Sequence, residues 1–175
     1  MALAFCVILV GHLIGDFYAQ SDRQAIEKVA CRKACAAHCL SYALLMAASS
    51  AFLAASGAGV LHAVGVFVAL GASHAIVDAF LKPLLRKIAD DELVVFALDQ
   101  TAHLAFVVAC ACCIAPEIKV MHVSEPTVVA LLLVALLCGK PISVVVRLVL
   151  KKARGAEVPA ENPGNACETQ ESDGG

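Results

Sequence analysis

Five apolar runs, each close to the length a helix needs to cross a bilayer, leave this chain few folds to choose from. They fall at about residues 2–20, 35–55, 59–81, 93–115 and 127–150. A hydrocarbon core about 30 Å thick takes about 20 helical residues, and a helix satisfies its own backbone hydrogen bonds where no water is at hand. The runs predict an all-α fold, a polytopic transmembrane helix bundle of about five spans over residues 1–152, with residues 153–175 as a disordered polar tail rich in Pro and Gly. Hydrophobic residues are 61% of the chain and charged residues 16%, and the mean hydropathy is +0.84, which excludes an ordinary soluble domain.

The loops set the orientation. The first connection, SDRQAIEKVACRK, carries Arg23, Lys28, Arg32 and Lys33; the second, SGAG, carries no basic residue; the third, KPLLRKIADDE, carries Lys82, Arg86 and Lys87; the fourth, PEIKVMHVSEP, carries only Lys119. Positive loops stay in the cytoplasm, so the first and third are expected there, with the N-terminus outside and the tail, beginning KKAR at 151–154, inside. The first run lacks a basic leader and carries His12 and Asp16, so it reads as a retained helix rather than a cleaved signal. Lys140 and Pro141 interrupt the fifth run. That break predicts a kink or an interfacial second half, VVVRLVLKK, with Arg147 reaching toward headgroups.

Net charge is only −2, there is no tryptophan, and no basic block is long enough to track a polynucleotide, so nucleic acid is not an expected partner. Of nine cysteines, all but Cys167 lie in or beside apolar segments and read as small hydrophobes rather than bridges. Cys31, Cys35 and Cys39 share one helix face at the spacing of a soft-metal site, but their Ala-rich helix favours the packing role.

The polar residues inside the runs carry the chemistry. HLIGD at 12–16 and HAIVD at 74–78 each place an imidazole and a carboxylate on one helix face, four residues and about 6 Å apart. DQTAH at 99–103 reverses that order on a helix expected to run the opposite way, which restores the same geometry. All three helices then offer a carboxylate on the cytoplasmic side of an imidazole, and His38, near the start of the second run, adds a fourth contributor. An Asp near a helix centre costs about 2.5–3.5 kcal/mol on insertion scales, so these residues are expected to face the bundle interior, with Gly11, Gly15, Gly71, Ala72 and Ser73 letting helices approach closely. His62 and His122 fall toward the outer side and are poor candidates.

Mixed imidazole and carboxylate donors suit a divalent metal, Zn²⁺, Mn²⁺ or Fe²⁺. The candidate ligands are His12, Asp16, His74, Asp78, Asp99 and His103, enough for two ions, with His38 as the candidate catalytic residue. A metal with an open position activates water, so the favoured function is a metal-dependent membrane hydrolase. Access from the cytoplasmic leaflet points to a lipid-like or lipid-linked substrate, with Gln20, Lys82 and Lys140 as candidate contacts to an anionic group; Lys82 also reads as an ordinary interfacial anchor. Two alternatives stand beside it. Buried Asp and His residues form proton or ion pathways in transporters, for which HLIGD and HAIVD would be halves of a weak repeat, or the cluster packs helices in a structural or regulatory module. No nucleophile motif, phosphate loop or dinucleotide fingerprint competes.

HLIGDFYAQSD at 12–22, Lys28, His38, HAIVD at 74–78 and DQTAH at 99–103 together resemble the bacterial integral membrane family called domain of unknown function 3307, over about residues 8–110. The resemblance implies a small multi-pass protein of the bacterial cytoplasmic (inner) membrane, in contact with the lipid bilayer, and no established activity. Tyr18 and Ala19 stand where that family leads one to expect aliphatic residues before Gln20, a departure that leaves the candidate ligands untouched.

Overall fold

The computed structural model describes residues 2–29, 31–117 and 126–154. Every element among them is helical. In order they are α1 (Ala2–Leu13), a π-helical turn (Ile14–Tyr18), α2 (Asp22–Glu27), α3 (Arg32–Ala55), α4 (Val60–Ile76), a second π-helical turn (Val77–Leu81), α5 (Lys82–Ile88), α6 (Glu92–Ile114), a 3₁₀ turn (Ala115–Glu117), α7 (Pro126–Cys138) and α8 (Lys140–Ala153). By length and composition four helical stretches could cross a membrane, Arg32–Ala55, Val60–Ile88, Glu92–Ile114 and Leu131–Ala153, the last interrupted at Gly139, and Leu3–Tyr18 is a shorter apolar helix. They mark the chain as a membrane protein. Large side chains such as Leu40, Leu44, Leu61, Val68 and Phe80 stand exposed on its outer faces, an apolar surface suited to lipid.

Local chemistry sets the boundaries. The Ser21 hydroxyl accepts the Gln24 N–H and caps α2, and the Asp91 carboxylate accepts the Leu93 N–H and caps α6. The α3–α4 turn is closed by Gly57 at φ 97°, with Gly57 N–H on the Ala54 carbonyl and Ala58 N–H on that of Leu53, the paired bonds of a Schellman end. The first and third connections hold more helix than their polar sequences suggest. The former contains α2, and Lys82–Ile88 continues the preceding helix through the π turn, because seven residues of good helix formers follow it with Pro83 confined to the first turn.

α1, α3, α4 and α6 pack around a core built on Ala4, Ile8, Tyr42, Met46, Leu53, Leu70, Val107 and Ile114. At Gly11 a Cβ would stand 2.3 Å from Ser49 Oγ, and at Gly15 one would stand 2.8 Å from Tyr42 Cδ2, so α1 lies directly against α3 at both glycines. Gly71 has open space around it and Ala72 is exposed, so the close approach expected there is absent; the helix instead turns Ser73 and His74 inward.

The fifth apolar run is broken, as Lys140 and Pro141 foretell. Gly139, at φ −80° and ψ −117°, separates α7 from α8. The Tyr18 hydroxyl donates to the Leu136 carbonyl and accepts the Lys140 N–H, fixing the break to the end of α1. The far end of α8 is tied to the start of α6, Lys151 to Glu92 and Lys152 to Asp91. Both anchor points lie at the end of the bundle that carries the two basic connections, so α8, about 20 Å long, runs across that end rather than through the bundle. Its Ile142, Val145, Val146, Val149 and Leu150 form one exposed apolar stripe. Among the described residues Cys6, Cys35, Cys39, Cys110, Cys112, Cys113 and Cys138 carry free thiols; Cys31 departs from the expectation and is disulfide-bonded. His122 and the tail after Arg154 lie outside the described residues.

Candidate metal centre

Near the basic end, α1, α3, α4 and α6 each turn polar side chains into the space between them. His12, Asp16, His38, His74, Asp78, Asp99 and His103 are all buried, none more than 3% exposed. Asp16 and Asp78 each sit in a π turn, one at the end of α1 and one at the end of α4. Such turns hold one residue more than an α turn and recur at functional sites. Here both occurrences of the His-x-x-x-Asp pattern end in one, a likeness between HLIGD and HAIVD that the letters alone do not carry.

Two groups of donors share Asp78. Asp16, His38, His74 and Asp78 offer ligand atoms within 4.8 Å of one another, and so do Asp78, Asp99 and His103. Around the first group His38 Nε2 lies 3.0 Å from His74 Nε2, 3.2 Å from Asp78 Oδ2 and 3.4 Å from Asp16 Oδ1. Tyr42 stacks on His74 with ring centres 3.6 Å apart, and its hydroxyl lies 3.2 Å from His12 Nδ1. His12 belongs to neither donor group; its ring stands 5.4 Å from that of His103 and 6.5 Å from that of His74.

Lys28 is the residue that the sequence leaves out of the site. Counted there among the charges of the first connection, it is 5% exposed, and its ammonium donates to Asp78 Oδ2 at 2.8 Å, His38 Nε2 at 2.9 Å and Asp16 Oδ1 at 3.3 Å. Burial by itself pulls the Lys28 pKa down, but the carboxylates of Asp16 and Asp78 outweigh it and hold the pKa above its ordinary value. Gln100 is the second omission: its Nε2 donates to Asp16 Oδ2 at 3.0 Å and Asp99 Oδ2 at 3.2 Å, bracing two helices. Tyr42 is the third, and its spacing from His38, one helical turn along α3, was signal enough to place it.

The expected anion contacts line the rim. Lys82 Nζ donates to Asp99 Oδ2 at 2.8 Å and stands 3.8 Å from Asp78 Oδ1, so its charge serves the buried carboxylates as well as the rim. The Gln20 amide donates to the Asp16 carbonyl, while its Oε1 is buried without a hydrogen-bond partner. Lys140 Nζ donates to the Gln20 carbonyl at 3.0 Å. With neutral imidazoles, three carboxylates face two ammonium groups, and one negative charge is left over. Unpartnered buried atoms remain on the same residues: Asp78 Oδ1, Asp99 Oδ1, His103 Nε2, His38 Nδ1 and His74 Nδ1. Leaving such atoms bare costs about 1–3 kcal/mol each, and the donor set, imidazole nitrogen with carboxylate oxygen, suits a divalent metal ion.

A family model described as protein of unknown function (DUF3307) matches residues 4–131, a span that includes every residue of the centre. No curated protein and no solved structure matches the chain significantly.

Proposed function

The chain belongs to the DUF3307 family, whose function is unknown, and on that premise we propose that it is a metal-dependent hydrolase acting within the membrane on a lipid-like or lipid-linked substrate. The observation that carries this reading is the pair of buried donor groups joined through Asp78, with bare ligand atoms on residues from three helices. A divalent ion there supplies a water acidified for attack. The protein residues do the rest. His38, held among Asp16, Asp78 and Lys28, is placed to relay a proton, receiving it at Nε2 from Lys28 and releasing it from Nδ1, and Gln20, Lys82 and Lys140 at the rim suit an anionic headgroup. With the basic connections in the cytoplasm of a bacterial cell, the centre lies on the side of the inner leaflet of the cytoplasmic membrane.

The test is metal analysis of the detergent-purified protein followed by hydrolysis assays on vesicle lipids and lipid-linked phosphates. The reading expects bound Zn²⁺, Mn²⁺ or Fe²⁺, and turnover lost with the metal and in His38→Ala. Metal-free protein after gentle purification, with none taken up on titration, would falsify it.

A second reading has its own support. His38 and His74 touch at 3.0 Å, and the rings of His74, His103 and His12 follow at centre distances of 4.6 and 5.4 Å, a file of imidazoles able to pass protons. Reconstituted vesicles under a pH gradient decide it: proton flux abolished by His74→Ala favours the pathway, and sealed vesicles favour the enzyme.

A further inference from the structure

The two donor groups differ in whether their lone pairs are already occupied. Lysine has three N–H donors, and Lys28 places them on three acceptors of the first group, Asp78 Oδ2, His38 Nε2 and Asp16 Oδ1. That position already holds a cation, at distances ordinary for charged hydrogen bonds to Asp78 and His38 and a longer one to Asp16.

The second group is built the opposite way. His103 Nδ1 lies 2.9 Å from the Asp99 carbonyl, which only accepts, so Nδ1 carries the ring proton. Its Nε2 is then a bare lone pair, buried on a residue 3% exposed and without a partner. Asp99 spends Oδ2 on Lys82 and Gln100 and leaves Oδ1 bare. Asp78 spends Oδ2 on Lys28 and likewise leaves Oδ1 without a hydrogen bond, the Lys82 ammonium standing 3.8 Å from it, beyond hydrogen-bond reach. Each residue is thus held by one atom and free at another, as metal ligands steadied by outer partners are.

From this we infer that the centre seats one divalent ion rather than two, on Asp78, Asp99 and His103, and that the Lys28 ammonium takes the place of the second. The inference rests on the metal reading above and deepens it. Three protein ligands leave open positions, the arrangement of a catalytic rather than a structural ion. The ion would also turn the leftover negative charge of the centre into a positive one, favourable to an anionic substrate.

The experiment is titration of the full chain, stripped and held in detergent, with Zn²⁺ and separately with Mn²⁺, with pulsed EPR on bound Mn²⁺. Wild type is expected to take one ion, with a single imidazole nitrogen coupled to Mn²⁺. Affinity should fall at least about 10-fold in Asp99→Asn and His103→Ala and hold in His12→Ala. Lys28→Met should bind a second ion, and Lys28→Gln serves the same purpose should the methionine variant fail to fold. Two ions in wild type, two coupled imidazoles, or one ion indifferent to His103→Ala overturns the inference and leaves the metal reading standing. So does binding that appears only once Lys28 is replaced. No ion in any variant overturns both, whereas one ion without hydrolysis sinks only the enzyme.

Discussion

Lysine meets carboxylate in two regions of this molecule, inside the bundle and on its surface. Lys28 reaches Asp78 at 2.8 Å with both side chains no more than 3% exposed, while Lys151 reaches Glu92 at 3.0 Å with side chains 39% and 56% exposed. The distances are nearly the same, yet the energetics are not. A surface pair exchanges hydration for a screened attraction and nets about 0–1 kcal/mol. A buried pair has already lost its water, so removing one partner strands the other and costs about 3–5 kcal/mol. Length therefore says little about what an ion pair is worth here; the surrounding medium decides it.

The sharpest way to break this comparison is Lys28→Ala. Metal-free, the variant should lose about 3–5 kcal/mol in detergent unfolding because Asp16 and Asp78 lose their shared cation; a loss below about 1 kcal/mol would show that water reaches the centre. Lys82→Met comes next, at about 1–3 kcal/mol, since the Lys82 side chain is 15% exposed and Asp99 keeps Gln100. Glu92→Gln should cost less than about 1 kcal/mol, and its effect should vanish in about 0.5 M salt while that of Lys28→Ala persists. The smallest effect concerns acid. The hydrogen bond from Lys152, with help from the Leu93 N–H, holds the Asp91 carboxyl below its usual range. A depressed carboxylate stabilises above its unfolded pKa of about 3.9 and loses that contribution as pH falls through the folded value. Protection factors for hydrogen exchange at the end of α8, with the intrinsic pH dependence of exchange divided out, should fall below about pH 4 and stay flat between pH 5 and 7; a fall already at pH 6 would mean that another group ties α8 down.

Convergence of the three His and Asp couples was legible because it depends on local geometry. Four residues set two side chains on one face of any helix, and reversing the order in DQTAH on a reversed helix puts Asp99 level with Asp16 and Asp78. The break at Lys140 and Pro141 was legible for the same reason. Lys28 was not. Its charge sits in a polar connection, and only the packing of α2 against α3 returns the ammonium to the centre. Gln100 neighbours Asp99 in sequence, and adjacent residues on a helix point about 100° apart, so nothing in DQTAH announces that its amide spans to Asp16. The extent of the third connection was misjudged because KPLLRKI looks polar at a loop's usual place, while its helical continuation depends on the preceding turn.

That preceding turn has a consequence for how the protein tolerates change in length. A π turn is a one-residue insertion that a helix has absorbed, and each residue advances the chain by about 100° of azimuth. Excising Ala79 from Val77–Leu81 would close the wide turn to an ordinary α turn, re-aim Asp78 within it and draw Lys82 along the axis toward His74, without altering a single ionisable group. Register as well as residue identity thus addresses the charges to one another, and a lineage that lost either extra residue would have to rebuild the centre around a differently aimed arm.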